Sequence, residues 1–302
     1  MRSTSFVTRL LPRIQLRSSI IFRYRHNNVN DAFLMEDQNH RYIQAALRET
    51  KVPTYSITGD LWSVEDALME LDKIIREAHG KPEGLRILID VSTFTKAYTL
   101  VFLRYLDEAA KRNDVTLFFT DIAGPQTGRP SRGLDRIIAL PLYSTSYVQG
   151  RESLLLTFLG FEPQRVVGLW NRLEPNRTMP LYSLRRDGAS PLRSTFYRDQ
   201  LLNRPGVDVP LEVPTSPLDL ARTLAIIYSE ERDKYNVCLS ATGNKLQCVG
   251  VYIFIKLTLA QVQMFYPVPA QYTWKYWNPL VMPQESVIIS LNQGFKSEYI
   301  RA

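Results

Sequence analysis

Two cysteines and three histidines in 302 residues leave little material for thiol or metal chemistry. Cys238 and Cys248 are too few for a disulfide framework and read as two buried small residues in a reducing compartment. His26, His40 and His79 lack metal-ligand spacing with those cysteines, so no metal and no cofactor is expected. No Gly-x-Ser-x-Gly elbow, Gly-x-Gly-x-x-Gly fingerprint or Walker loop occurs. Acid–base chemistry would therefore have to rest on scattered carboxylates such as Asp90, Asp121 or Glu162. Long apolar runs are also missing. The longest, Val249 to Val268, carries Lys256 near its middle, whereas a spanning helix needs about 20 mostly apolar residues. It reads as a buried helix followed by a strand, and no membrane span is expected.

Acidic charge is absent from the first 30 residues, which hold Arg2, Arg9, Arg13, Arg17, Arg23 and Arg25. The net charge of +7 thus falls almost wholly on that segment. A protein that tracks a phosphate backbone spreads its cations over the folded body, so direct nucleic-acid binding is disfavoured. Residues 1–17 read as a basic tail, dispensable for folding, on a cytoplasmic protein. The alternative is organelle targeting, since an Arg- and Ser-rich, acid-free start is similar to a transit peptide.

What is present is an ordinary globular composition, 45% hydrophobic and 22% charged, with apolar runs alternating with amphipathic stretches. Arg86 to Ser92 is a nearly continuous apolar run, as expected of a strand covered on both faces. A helix over Thr95 to Arg112 and a strand over Val115 to Thr120 follow, a pairing most naturally parallel. Gly124, Pro125, Gly128, Pro130 and Gly133 mark 122–150 as a long irregular connection. The alternation then resumes with strand Leu154 to Leu159 and helix Pro163 to Leu173. It ends with strand Asn236 to Ser240, a helix from Leu246 and a last strand at Val287 to Leu291. The expected fold is α/β, Rossmann-like, with a mainly parallel sheet flanked by helices in two halves, 18–135 and 151–302.

In such sheets ligands bind beyond the carboxyl ends of the strands. The first candidate is the turn Thr242-Gly243-Asn244-Lys245 between a strand and a helix. Gly243 permits a tight bend, the helix start offers backbone N–H groups, and Thr242 and Lys245 add a hydroxyl and a cation for an anion. The alternative is a plain strand-to-helix connection with a surface lysine. The second candidate is Asp90, Ser92, Thr93 and Lys96 after the Arg86 strand, able to position a ribose or phosphate. There Ser92 or Thr93 could instead cap the next helix. Arg23, Arg25, His26 and Asn27 form a third group, and Glu162 at the start of the Pro163 helix a fourth. Tyr272, Trp274, Tyr276 and Trp277 around Lys275 could stack a base, or pack in a core or interface.

The order strand, Thr-Gly-Asn-Lys, apolar helix resembles the signature turn of CARF and SAVED domains, Rossmann-like sensors of cyclic oligonucleotides in prokaryotic antiviral defence. The match spans some 15 to 20 residues around Thr242 to Lys245, and Asn244 stands where that pattern has a Gly-Thr pair. The resemblance implies a binding protein for a nucleotide or another phosphorylated small molecule, with protein partners in a defence complex. A nucleotide-processing enzyme using Glu162 or Asp90, and a scaffold subunit with a degenerate sensor fold, are the rival expectations.

Overall fold

The computed structural model describes residues 2–25, 31–60, 63–81, 84–109, 114–121, 131–160, 162–184, 190–272, 285–291 and 297–301. The chain divides into two compact units, 1–124 with 278–302, and 125–277.

The first unit opens with helix α1 (Arg2–Arg9), strand β1 (Ser19–Tyr24) and helix α2 (Asp31–Glu49). Strand β2 (Thr54–Gly59), helix α3 (Val64–His79), strand β3 (Arg86–Asp90), helix α4 (Lys96–Arg104) and strand β4 (Asp114–Asp121) follow. Strands β1 and β2 pair in parallel, as do β3 and β4. Aromatic rings fill much of this core. Phe22 meets Tyr98 at 4.8 Å and Phe94 at 5.3 Å between centroids, mostly edge to face, the arrangement ring quadrupoles favour.

Residues 1–17 are not the featureless tail that their charge suggests. Val7 and Leu11 lie on one side of the segment and pack with Ile21 of β1 and Leu47 of α2. Phe6 lies edge-on to Phe118 of β4, 5.9 Å between ring centroids. Val7 and Leu11, four residues apart, enter the same cluster, while Arg13 and Arg17 are exposed.

In the second unit come β5 (Ser131–Arg132), β6 (Arg136–Ala139), β7 (Glu152–Phe158), α5 (Pro163–Leu173) and β8 (Arg177–Tyr182). A short α6 (Thr195–Tyr197), β9 (Leu211–Glu212), α7 (Pro217–Glu231), β10 (Tyr235–Ser240), α8 (Lys245–Thr258), β11 (Gln263–Val268) and β12 (Gln271–Tyr272) complete it. The six-stranded sheet has the order β6-β11-β10-β7-β8-β9, parallel throughout except for β6. The stretch expected to be an irregular connection therefore contributes two strands. β6 runs antiparallel to β11, with Ile138 opposite Tyr266, and β5 pairs with β12. Helix α5 covers the sheet face carrying Leu155 and Cys238, through Leu169. Helices α7 and α8 pack against one another, with Tyr228 on Phe254. Leu154, Leu156, Leu239 and Met264, alternating with the α5-facing residues, are also buried, so both faces of the sheet are covered.

Two terminal strands, β13 (Glu285–Ser290) and β14 (Ser297–Arg301), belong to the first unit, which corrects the expected second half of 151–302. β13 pairs antiparallel with β4 from Glu285 opposite Asp121 to Ser290 opposite Thr116, and β14 pairs with β13. Those ladder bonds tie the C-terminal strand to its sheet across more than half of the chain. The fold is thus α/β with parallel and mixed sheets. Among the described residues no helix is long and apolar enough to cross a membrane.

Candidate functional site

The chain reverses direction across the second sheet between β7 and β10. From β7 it moves outward to β8 and β9, then returns through α7 to place β10 on the other side of β7. The residues just beyond the carboxyl ends of these two neighbours are the Gly160 segment and the Thr242-Gly243-Asn244-Lys245 turn. They touch. The Thr242 hydroxyl donates to the carbonyl of Phe158, and a Cβ placed on Gly160 would stand 2.9 Å from the Thr242 carbonyl oxygen. Only glycine lets the two segments approach so closely. Tyr197 braces the β7 side: the Gly160 N–H donates to its phenol oxygen at 3.1 Å, and its hydroxyl donates to the Gly160 carbonyl at 2.9 Å. Burial pushes the Tyr197 hydroxyl well above the ordinary tyrosine range, so it stays protonated and able to donate.

The turn itself is built differently from the expectation. Asn244 caps α8, its side chain accepting from the Gln247 N–H at 2.8 Å. Gln247 returns the bond by accepting from the Asn244 N–H at 2.7 Å, a complete capping box. Its amide nitrogen also donates to Ser183 beyond β8 at 3.0 Å. Gly243 is not among the glycines with left-handed backbone. It is needed because a Cβ there would lie 1.8 Å from the Gln247 side-chain oxygen. The helix start thus spends two of its four leading amides on its own cap. The other two leading amides, of Lys245 and Leu246, lie in the same first turn, where the Lys245 side chain adds a cation.

On the face covered by α5, the same end of the sheet is polar in a way that sequence reading missed. Thr157 and Ser240 are opposite one another in β7 and β10 and fully buried. Among the described residues neither hydroxyl has a hydrogen-bond partner. Glu162, immediately before α5, pairs through Oε2 with Arg165 at 2.9 Å, while its buried Oε1 has no partner among the described residues. Arg165, itself buried, donates twice to the Pro267 carbonyl, at 2.9 and 2.6 Å, and its guanidinium lies 5.1 Å from the centre of the Tyr266 ring. The signal in the sequence was a lone hydroxyl near the carboxyl end of each apolar run, in Leu-Leu-Leu-Thr-Phe and Val-Cys-Leu-Ser.

The second candidate group lies in the first unit. Asp90 accepts from the Ser92 amide at 2.9 Å and from the Ser92 hydroxyl, closing its own loop. Ser92 is buried and Thr93 exposed, and neither caps the next helix. Thr95 does, accepting from the Tyr98 N–H at 3.4 Å, and Lys96 opens the helix. Arg23 of the third group pairs with Asp37 at 3.4 Å, a packing role within the unit. His26, Asn27, Trp274, Lys275, Tyr276 and Trp277 lie outside the described residues. Cys238 and Cys248 are both buried thiols, the latter donating to the Asn244 carbonyl at 3.4 Å. Among the described residues no group of three or more His, Cys, Asp and Glu could hold a metal ion.

A scan of protein-family models and a search of curated proteins find no match to this chain. Among solved structures, the crystal structure of a functionally unknown protein, PA1789 from Pseudomonas aeruginosa PAO1, aligns over 84% of this chain and 92% of its own. The identity is 11% and the TM-score 0.24, a likeness that assigns neither a fold nor an activity.

Proposed function

We propose that the second unit binds a nucleotide or another phosphorylated small molecule at the carboxyl edge of β7 and β10, as a sensor or regulatory component of the CARF and SAVED kind. The observation that carries this reading is the strand order. Counted from β7, the parallel strands run 3-2-1-4-5, and in doubly wound sheets of that order ligands sit where the order reverses, which supports the Rossmann-like reading. At that reversal Gly160 and the Thr242 turn meet, and α8 begins with Lys245. A helix start with a neighbouring cation favours an anion.

Calorimetric titration of inorganic phosphate, adenosine monophosphate and cyclic oligoadenylates into the full chain and into Lys245→Ala tests the assignment. A charge-assisted hydrogen bond contributes about 1.5–3 kcal/mol, so affinity should fall roughly tenfold or more in the variant. Thermal unfolding of Lys245→Ala, run alongside, separates a loss of binding from a loss of fold. Equal binding of every ligand by the two proteins would make the turn a plain connector.

A further inference from the structure

The opposite edge of the same sheet holds a cavity of about 220 Å³, among residues that precede its parallel strands. Arg151 directly precedes β7, Asp233 lies two residues ahead of β10, and Gln261 two ahead of β11. Strand β10 separates this cavity from the Thr242 turn, since Tyr235 lines the one and Ser240 leads into the other. At 3.3 Å per residue those strand ends stand roughly 16 Å apart.

The cavity has a built wall. Residues 145–148 form one side, and the Asn236 side chain clamps them, accepting from the Val148 N–H at 2.8 Å. The same side chain donates to the carbonyls of Val148 at 3.0 Å and Arg151 at 2.9 Å. Gln261 accepts from the Thr145 hydroxyl at 3.3 Å. Both carboxamides that line the cavity are thus committed to the protein.

The groups left over are mostly donors. Tyr228 is 8% exposed, and its phenol oxygen accepts from the Gln261 N–H at 2.9 Å. Among the described residues its own O–H has no acceptor, which is costly for a buried donor unless the cavity's contents supply one. The Tyr235 hydroxyl and the Arg232 guanidinium likewise have no hydrogen-bond or ion-pair partner among the described residues. Arg151 gives one N–H to the Arg232 carbonyl at 3.0 Å, which holds its side chain beside the Arg232 backbone at the end of α7. Two guanidiniums against the one carboxylate of Asp233 leave the lining with a surplus of positive charge.

These groups select the ligand. Each wants an acceptor, and a guanidinium fork matches the paired oxygens of a carboxylate or phosphate. A cation would face two like charges for one carboxylate. The volume lies below the roughly 300–1,000 Å³ of sites for drug-sized ligands, which restricts the occupant to a small molecule. Tyr147 and Val148 add apolar surface at its side.

We infer that this cavity is a second ligand site, which binds a small organic oxyanion, a carboxylate or a phosphate monoester. The contacts are Arg151, Arg232 and the hydroxyls of Tyr228 and Tyr235. The site stands independently of the one proposed at the Thr242 turn.

The test titrates acetate and inorganic phosphate separately into the isotope-labelled full chain at low ionic strength, reading amide chemical shifts. Sodium chloride at matched ionic strength is the control. At least one probe should move the amides of Val148, Arg151, Asn236 and Gln261 saturably, and the probe that does so names the oxyanion. Arg232→Gln removes a charge at an exposed position and should weaken that binding about fivefold or more. Tyr228→Phe keeps the ring against Phe254 while removing the O–H, and should weaken binding as well. Lys245→Ala should leave these shifts as in the parent, whereas phosphate at the Thr242 turn would move the amides of Gly243 to Gln247 instead. No saturable shift around Val148 with either probe, an equal response to chloride, or unchanged affinity in Arg232→Gln overturns the assignment.

Discussion

The Thr242 hydroxyl, buried at the end of β10, donates to the carbonyl of Phe158 at the end of β7. One side chain thus latches together the two strand ends between which the chain reverses. Thr242→Val keeps the shape and removes the donor. The net loss of a buried hydrogen bond is about 1 kcal/mol, with more if the replacing methyl meets the carbonyl directly. Thr242→Ser should retain most of the stability. Denaturant unfolding of the three proteins checks this, and equal midpoints would show that the latch contributes nothing.

Gly243 and Gln247 make a second pair whose coupling can be measured. A Cβ at 243 would meet the Gln247 side-chain oxygen, so Gly243→Ala should expel that side chain and break the capping box. Loss of a cap costs about 0.5–2 kcal/mol. Gln247→Ala loses the side-chain half of the box, the bond from the Asn244 N–H, together with the bond to Ser183, and opens the space, while its backbone N–H still donates to Asn244. The double variant should therefore be less destabilised than the sum of the singles, a coupling of about 0.5–3 kcal/mol in a double-mutant cycle. Additive effects would mean that Gly243 is required for some other reason.

The position of this turn was legible in the sequence because its signals are local: an apolar strand, a glycine and an apolar helix. The capping box is equally local, since Asn244 and Gln247 have cap spacing, but the same turn also has the residues of an anion-binding loop. The paired hydroxyls at Thr157 and Ser240 were not legible. Their relation is a strand register between segments more than 80 residues apart, and the Arg165 acceptor, Pro267, is 102 residues away. Strand β6 was masked by the glycines and prolines before it. The C-terminal strand was placed with its sequence neighbours because nothing local reveals that β4 is its partner.

The N-terminal helix reverses an expectation and so gives a direct test. Charge marked residues 1–17 as dispensable, yet Leu11 and Val7 are 8% and 6% exposed and pack on Ile21 and Leu47. Leu11→Ala should destabilise the first unit by about 2–3 kcal/mol, towards the low end for a core leucine because the site lies near the surface. A chain starting at Ser18 should lose more. Hydrogen exchange resolved by segment should show weakened protection in β1 and α2 while β7 and β10 stay unchanged. Unaltered protection in β1 and α2 would return the segment to the status of a tail.

Alkaline pH probes the buried phenols of both units. Tyr98, Tyr105 and Tyr197, all buried, have hydroxyls raised above the ordinary value of 10.0, in each case chiefly by that burial. A nearby acceptor adds to this for one of them: the Tyr105 hydroxyl donates to Asp72. A group with a raised folded pKa holds its proton more tightly folded than unfolded, so its stabilisation is complete below the unfolded value. That stabilisation drains away as pH climbs from about 10 towards the folded values. Stability should therefore be level with respect to these groups below about pH 9 and fall steeply above about pH 10. In a spectrophotometric titration of the phenolate band, these three should ionise only together with the loss of far-ultraviolet circular dichroism. Tyr197→Phe removes one titrating hydroxyl and also leaves Gly160 without its two bonds, so it should lower the melting temperature at neutral pH while softening the alkaline fall. Complete and reversible ionisation of all the tyrosines near pH 10, with the circular dichroism intact, would show that these phenols are open to water and that Tyr197 does not brace the β7 side of the site.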